Sequence, residues 1–354
     1  MGTEKRENWA DTIIYQLQRL STASGQDTVD IYKTILSIVG DACKENKGLG
    51  AEISAKLGLT WIPGALYCYI DSVLGFQVGM KDLWMKYQAA IGQKKMYPSI
   101  TGFEMEMEDQ CLIKQILEAF LRLTADRWQA RSWNKFEEFS KFCVLLDVKN
   151  RSIELHGNRF GDLERCAAIG VYSLPMWEQF IEQHPNIRNQ LSIFLRDTLH
   201  LAVICKMLWL GAALLGIHVT FPYLHMLLDL KVDHLELLNV LPRLYTELIE
   251  YPESLAQLEK PGIPALGFAW LNPLDQDMSP YGVEVSKGLA DALESCDLSL
   301  LDRYLKDLCQ VIAVILKRQR GDAYGFGDNP DSDEHVMKQM SKDDLKRHPH
   351  IQSK

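Results

Sequence analysis

"ALYCYIDSVLGF", residues 65–76, is the stretch on which the choice of fold turns. Its aromatic and β-branched residues suit a buried strand that runs into a helix around Ser72. A dense apolar run also suits a buried helix, and periodicity alone does not separate the two. A second reading therefore makes residues 51–89 wholly helical. On the first reading, Leu36 to Val39 supplies an earlier short strand and Glu45 to Gly50 loosens the chain. Residues 51–58 then form a short helix, and Trp61, Pro63 and Gly64 mark a turn. Strand, turn, helix and strand would make a small α/β layer.

Outward from this stretch the pattern is helical. Trp9, Ile13, Leu17 and Leu20 recur at helical spacing over residues 8–20, and Asp27 is placed to cap a following helix. Thr101 and Glu104 have the spacing of a capping box, ahead of a stripe of Leu112, Ile116, Phe120 and Leu123. Glu104, Glu106, Glu108 and Asp109 suit a solvated helix start better than a metal site. Trp133, Phe136, Phe139 and Cys143 form another core stripe. Residues 207–217, "MLWLGAALLGI", are continuously apolar but span only about half a bilayer, which predicts a buried core helix. A glycine- and proline-rich connection over residues 260–285 precedes a final helix at about 299–319, capped by Asp297 and stopped by Gly321. The polar tail is expected to be flexible. The expected organisation is a small α/β region over 1–100, a mainly helical domain over 101–320 and the tail over 321–354.

The 354 residues are 47% hydrophobic and 24% charged, enough for a substantial core in one domain or two. A formal net charge of -9 argues against a broad nucleic-acid footprint, which needs clustered lysine and arginine. Eight cysteines without a Cys-x-x-Cys spacing, and a start with no apolar core of a signal peptide, point to buried thiols. Arg6 stands where a myristoylation motif wants Ser or Thr. The nucleus or the cytoplasm is the expected location, with no membrane partner.

Motifs that carry chemistry are sparse. No Gly-x-Ser-x-Gly, Gly-x-Gly-x-x-Gly or phosphate-binding Gly-Lys-Ser/Thr pattern occurs. His218, His225 and His234, with Asp229 and Asp233, make no compact zinc motif, and a pair of helices with scattered polar positions explains them better. Asp41, in "IVGDACKENKG" (residues 38–48), closes the first strand. There it could hold Mg²⁺ or Mn²⁺, whose oxygen preference matches a carboxylate. Glu45, Asp71 and Glu104 are candidate partners that no spacing fixes. A turn role for Asp41 needs no catalysis and is preferred.

Three stretches in order, "GDACKENKG", "LYCYIDSVLGF" and "HGNRFGDLE", resemble the core of hAT-type DNA transposases over residues 8–245. That resemblance implies a ribonuclease H-like layer interrupted by a large helical insertion. It places Asp41 at the second catalytic aspartate. Cys68 would match the cysteine of a Cys-x-x-His motif in which Asp71 replaces the histidine. Arg159-Phe160 would stand for the family's Arg-Trp pair. The strand for the first catalytic aspartate is missing, and Glu284 and Glu294 are only positional candidates for the last acid. A two-metal site short of one carboxylate loses much of its electrostatic stabilisation. The expected fold is therefore predominantly α with a small α/β element, a partial ribonuclease H-like layer plus a large helical domain. The expected function is a catalytically inactive, transposase-derived scaffold without a cofactor, binding protein and able to form oligomers. DNA is a partner that the net charge does not favour. The enzymatic alternative is a Mg- or Mn-dependent nuclease or strand-transfer enzyme with Asp41 as catalytic and metal-holding residue and Asp71 beside it. A third reading is an unrelated all-helical interaction protein.

Overall fold

The computed structural model describes residues 3–24, 37–40, 52–53, 55–56, 60–63, 65–90, 111–155, 161–228, 234–251, 281–324 and 327. Helices dominate these residues. In chain order they are α1 (Thr3–Ser24), α2 (Ala65–Ala90), α3 (Leu112–Thr124), α4 (Phe136–Leu145), α5 (Asp162–Gln183) and α6 (Gln190–Thr198). There follow α7 (Ala202–Leu215), α8 (Phe221–Leu228), α9 (His234–Glu250), α10 (Val283–Glu294) and α11 (Leu298–Tyr324). A π-helical turn, Gly216–Thr220, joins α7 to α8. The strands are β1 (Ser37–Gly40) and β2 (Thr60–Pro63), parallel, with Ser37 opposite Thr60 and Gly40 opposite Pro63.

The chain divides into two compact units. One comprises residues 1–72, 225–245 and 316–354 and contains α1 and the strand pair. In it Lys56 donates to Asp11 at 2.6 Å and lies 3.6 Å from Glu52, while Ala10 and Ile53 are buried. The other comprises residues 73–224 and 246–315. At its centre α5 packs along α7, and α10 lies against both. Helix α3 packs on α4, α5 and α6. Its Leu112, Ile116, Phe120 and Leu123 are all buried, as their spacing predicts.

Aromatic rings fill this second core. Phe120 stacks on Trp177 with centroids 4.1 Å apart, and Trp177 meets Trp209 edge-on at 6.5 Å. The indole of Trp84 on α2 donates to the Tyr304 hydroxyl on α11 at 2.6 Å, so two buried polar groups satisfy each other. The apolar run 207–217 is buried throughout, as a core helix should be. The segment Gln190–His225 is long and apolar enough to cross a membrane, and 67% of its most apolar window is buried inside the chain. Asp297 does cap the final helix, accepting from the Leu300 N–H at 3.1 Å. The helix passes Gly321 and ends at Tyr324, since one glycine costs a long helix only about 1 kcal/mol.

The expected α/β layer is overturned. Residues 65–76 belong to α2, a single helix of 26 residues, so the second strand predicted there does not form. Phe76, Met80, Leu83 and Trp84 are buried at spacings of three and four, and this longer period decides what the shorter stretch leaves open. Two paired strands of four residues do not make a ribonuclease H-like sheet, and the other elements among the described residues are helical. The resemblance to hAT-type transposases falls with it, because Cys68 and Asp71 lie within a helix rather than beside a catalytic strand end. The fold is helical, not a partial ribonuclease H-like layer with a helical insertion.

Candidate functional site

Two features of the second unit stand apart from plain core packing. The first is a cleft of about 750 Å³. One wall is the end of α4 and the turn after it, where Val144, Leu146, Asp147, Val148 and Lys149 line the opening. This turn has defined geometry. The Val148 N–H bonds to the Cys143 carbonyl at 3.0 Å and the Asp147 N–H to Val144 at 3.1 Å, the bond pair of a Schellman stop. Asp147 occupies the left-handed position, φ 55°, where glycine is usual and aspartate is among the better tolerated alternatives. The stop leaves apolar side chains in solvent: Val144 is 73% exposed and Leu145 83%.

Helix α5 supplies Val171, Tyr172, Pro175 and Met176. Pro175 has no N–H to offer the Val171 carbonyl one turn back, so α5 lacks one of its own bonds within the cleft wall. Helix α10 supplies the facing wall with Glu284, Lys287, Gly288, Asp291 and Ala292. Gly288 lets it close on α5, for a β-carbon there would stand 2.9 Å from the Tyr172 ring. Lys206 of α7 completes the lining and donates to Ser295 at 2.9 Å.

Charges are arranged around an apolar floor. Arg151 donates through Nε and Nη2 to Glu284, at 2.9 and 2.6 Å, and Lys149 lies 3.6 Å from the same carboxylate. The Arg151 hydrogen bond holds the Glu284 carboxyl below its usual range. These contacts tie the turn after α4 to the first turn of α10. Lys287 has no ion pair among the described residues. Val283, next to Glu284, is 83% exposed.

The second feature is Glu164, fully buried in the first turn of α5. Gln77 of α2 donates to its Oε2 at 3.3 Å, and Thr220 of the π-helical turn donates to Oε1 at 3.0 Å. Burial outweighs these bonds and pushes the carboxyl up to about 7. Gly216 opens the π turn beside it: a β-carbon there would collide with the Tyr281 hydroxyl and come 2.9 Å from Glu164 Cβ. Tyr281, just before α10, donates to the Ala213 carbonyl at 2.9 Å and meets Phe221 edge-on at 5.6 Å. Arg165 lies over the Phe221 ring at 5.7 Å. In the same π turn His218 is nearly buried, its Nε2 has no partner among the described residues, and burial lowers its pKa to about 4. Single π turns inside helices recur at functional positions.

The residues singled out in the sequence are not gathered here. Asp41, Glu45 and Glu104 lie outside the described residues, as do Asp27, Thr101, Arg159-Phe160, Asp229, Asp233, most of the connection before α10 and the tail beyond Gly327. Asp71 lies within α2. His218 is nearly buried and His225 exposed. Among the described residues no group of three His, Cys, Asp or Glu side chains is placed to hold a metal ion. Cys143, Cys166, Cys205 and Cys309 are buried free thiols and Cys111 is buried too, in line with the buried thiols expected, while Cys296 is half-buried. Of the positional candidates, Glu284 takes an ion-pairing place on the cleft and Glu294 ends α10. Sequence reasoning missed Glu164, Thr220 and Tyr281. One signal was there: Glu164 lies four residues before Ala168 and seven before Val171, both buried, so it shares the core face of α5.

No family profile, curated protein or solved structure matches this chain.

Proposed function

We propose that this protein is a non-catalytic helical interaction scaffold that receives a segment of a protein partner in the cleft between α4, α5 and α10. The observation that carries this reading is the conjunction of a recessed, apolar-floored cleft, whose lining includes the solvent-exposed Val144, with two more exposed apolar residues next in sequence to lining residues, Leu145 and Val283. Exposed apolar side chains gathered near a recess mark interaction sites more often than isolated ones do. The paired and unpaired charges around the floor supply the polar rim that such interfaces have. A volume near 750 Å³ accommodates a few side chains of an inserted segment.

The test compares partners recovered from native extract by the wild-type chain, by Leu145→Asp and by Lys287→Glu. Leu145 is exposed, so its substitution leaves the fold intact, which thermal melting verifies. The scaffold reading predicts a partner retained by the wild type and depleted at least tenfold by Leu145→Asp, equivalent to about 1.4 kcal/mol of binding. Equal recovery by all three proteins would remove the cleft from consideration.

A further inference from the structure

We infer that Glu164 is a proton-sensitive anchor for the start of α10: neutral, it lets Tyr281 stay docked against the π turn, and ionised, it loosens that docking. The device is local and stands whether or not a partner enters the cleft, although α10 forms one wall of that cleft.

The geometry links the carboxyl to α10 through one residue. Tyr281 precedes Gly282 and the first residue of α10, Val283. Its hydroxyl bonds to the Ala213 carbonyl and occupies the space that only a glycine at 216 leaves open, and the Glu164 β-carbon borders the same space. Glu164 itself has two side-chain donors, Gln77 and Thr220. Two neutral donors do not offset the removal of a carboxylate from water, and an ionised group in that position draws water towards it.

The groups that face the carboxyl do not change this sign. On α5, Asp162 adds negative charge and disfavours ionisation, and the Cys166 thiol is raised by burial and stays neutral. Arg165, also on α5, acts on the Tyr281 hydroxyl in the opposite sense to Glu164, and burial raises that hydroxyl, which stays neutral. From α2 the neighbour is Gln77, with Lys81 one turn along. From the π turn it is Thr220, with His218 in the same turn. Once Tyr281 lifts away and water enters, the carboxyl returns towards its ordinary value near 4.5. The docked form then binds the proton more tightly than the open form. Opening is favoured as pH rises between the two values and levels off above about 7.

Hydrogen exchange read by mass spectrometry on the full-length chain tests this, with rates corrected for the intrinsic pH dependence of amide exchange. The wild type is expected to show opening of residues 281–288 that increases about thirtyfold between pH 5.5 and 8, with α3 and α7 unchanged over that range. Glu164→Gln is expected to abolish the increase. Tyr281→Phe, which removes the hydroxyl and no charge, is expected to raise opening at both pH values and to keep the pH dependence. A flat wild-type profile would overturn the inference without any variant, and it remains decisive should Glu164→Gln fail to fold. An increase of equal size in α3 and α7, or one that survives Glu164→Gln, would overturn it as well. None of these outcomes depends on partner recovery, so failure here and failure of the scaffold reading are distinguishable.

Discussion

At the scale of the residue, two buried groups oppose each other across pH. Glu164 is raised to about 7 from an ordinary 4.5, so the folded chain holds a proton that the unfolded chain has released. Its contribution to stability is complete below pH 4.5 and is lost as pH rises through 7. His218 is lowered to about 4 from 6.5, so its contribution is complete above 6.5 and is lost as pH falls through 4. The two windows overlap with opposite sign, and their effects on the wild type largely cancel. Single variants separate them. In chemical denaturation, Glu164→Gln should gain on the wild type by on the order of 3 kcal/mol as pH rises from 4.5 to 7. His218→Gln should gain by a comparable amount as pH falls from 6.5 to 4. Parallel curves for a variant and the wild type would mean that the group in question is solvated in the folded state. Neither role was legible in the sequence. The spacing of Glu164 places it on a core face, but its bonds to Gln77 and Thr220 join residues 87 and 56 positions away.

At the scale of the element, the helices that carry their own start signal and a long stripe were readable, and those that depend on distant partners were not. Helix α11 has both Asp297 at its cap and Leu301, Leu305, Leu308 and Ile312 buried at helical spacing. Its neighbour α2 begins in a run that reads equally as strand, and only its full length resolves the ambiguity. The Trp84–Tyr304 bond joins these helices across 220 positions, a distance no local pattern reports. Tyr304→Phe leaves the buried Trp84 N–H without its acceptor and should cost about 1–3 kcal/mol in denaturation experiments. Adding Trp84→Phe should recover part of that polar penalty, which gives the double variant a smaller loss than the two single losses added together. Strict additivity would show that the bond contributes nothing.

At the scale of the molecule, the chain order does not follow the units. Residues 225–245 belong with the first 72 residues, and residues 246–315 belong with 73–224. Such an interleaving is not legible in periodicity, which reports which face of a segment is buried and not what buries it. The cleft shows the same limit. Its lining runs from Val144 to Ala292, and the sequence marks its two walls only as apolar stripes on separate helices. The most direct measurement is site-specific photocrosslinking in cells, with a benzophenone side chain placed in turn at Leu145, at Val283 and, as an exposed apolar control on α11, at Val314. The scaffold reading predicts the same discrete adduct from positions 145 and 283 and none from 314. No adduct from positions 145 and 283, or an identical one from 314, would contradict it.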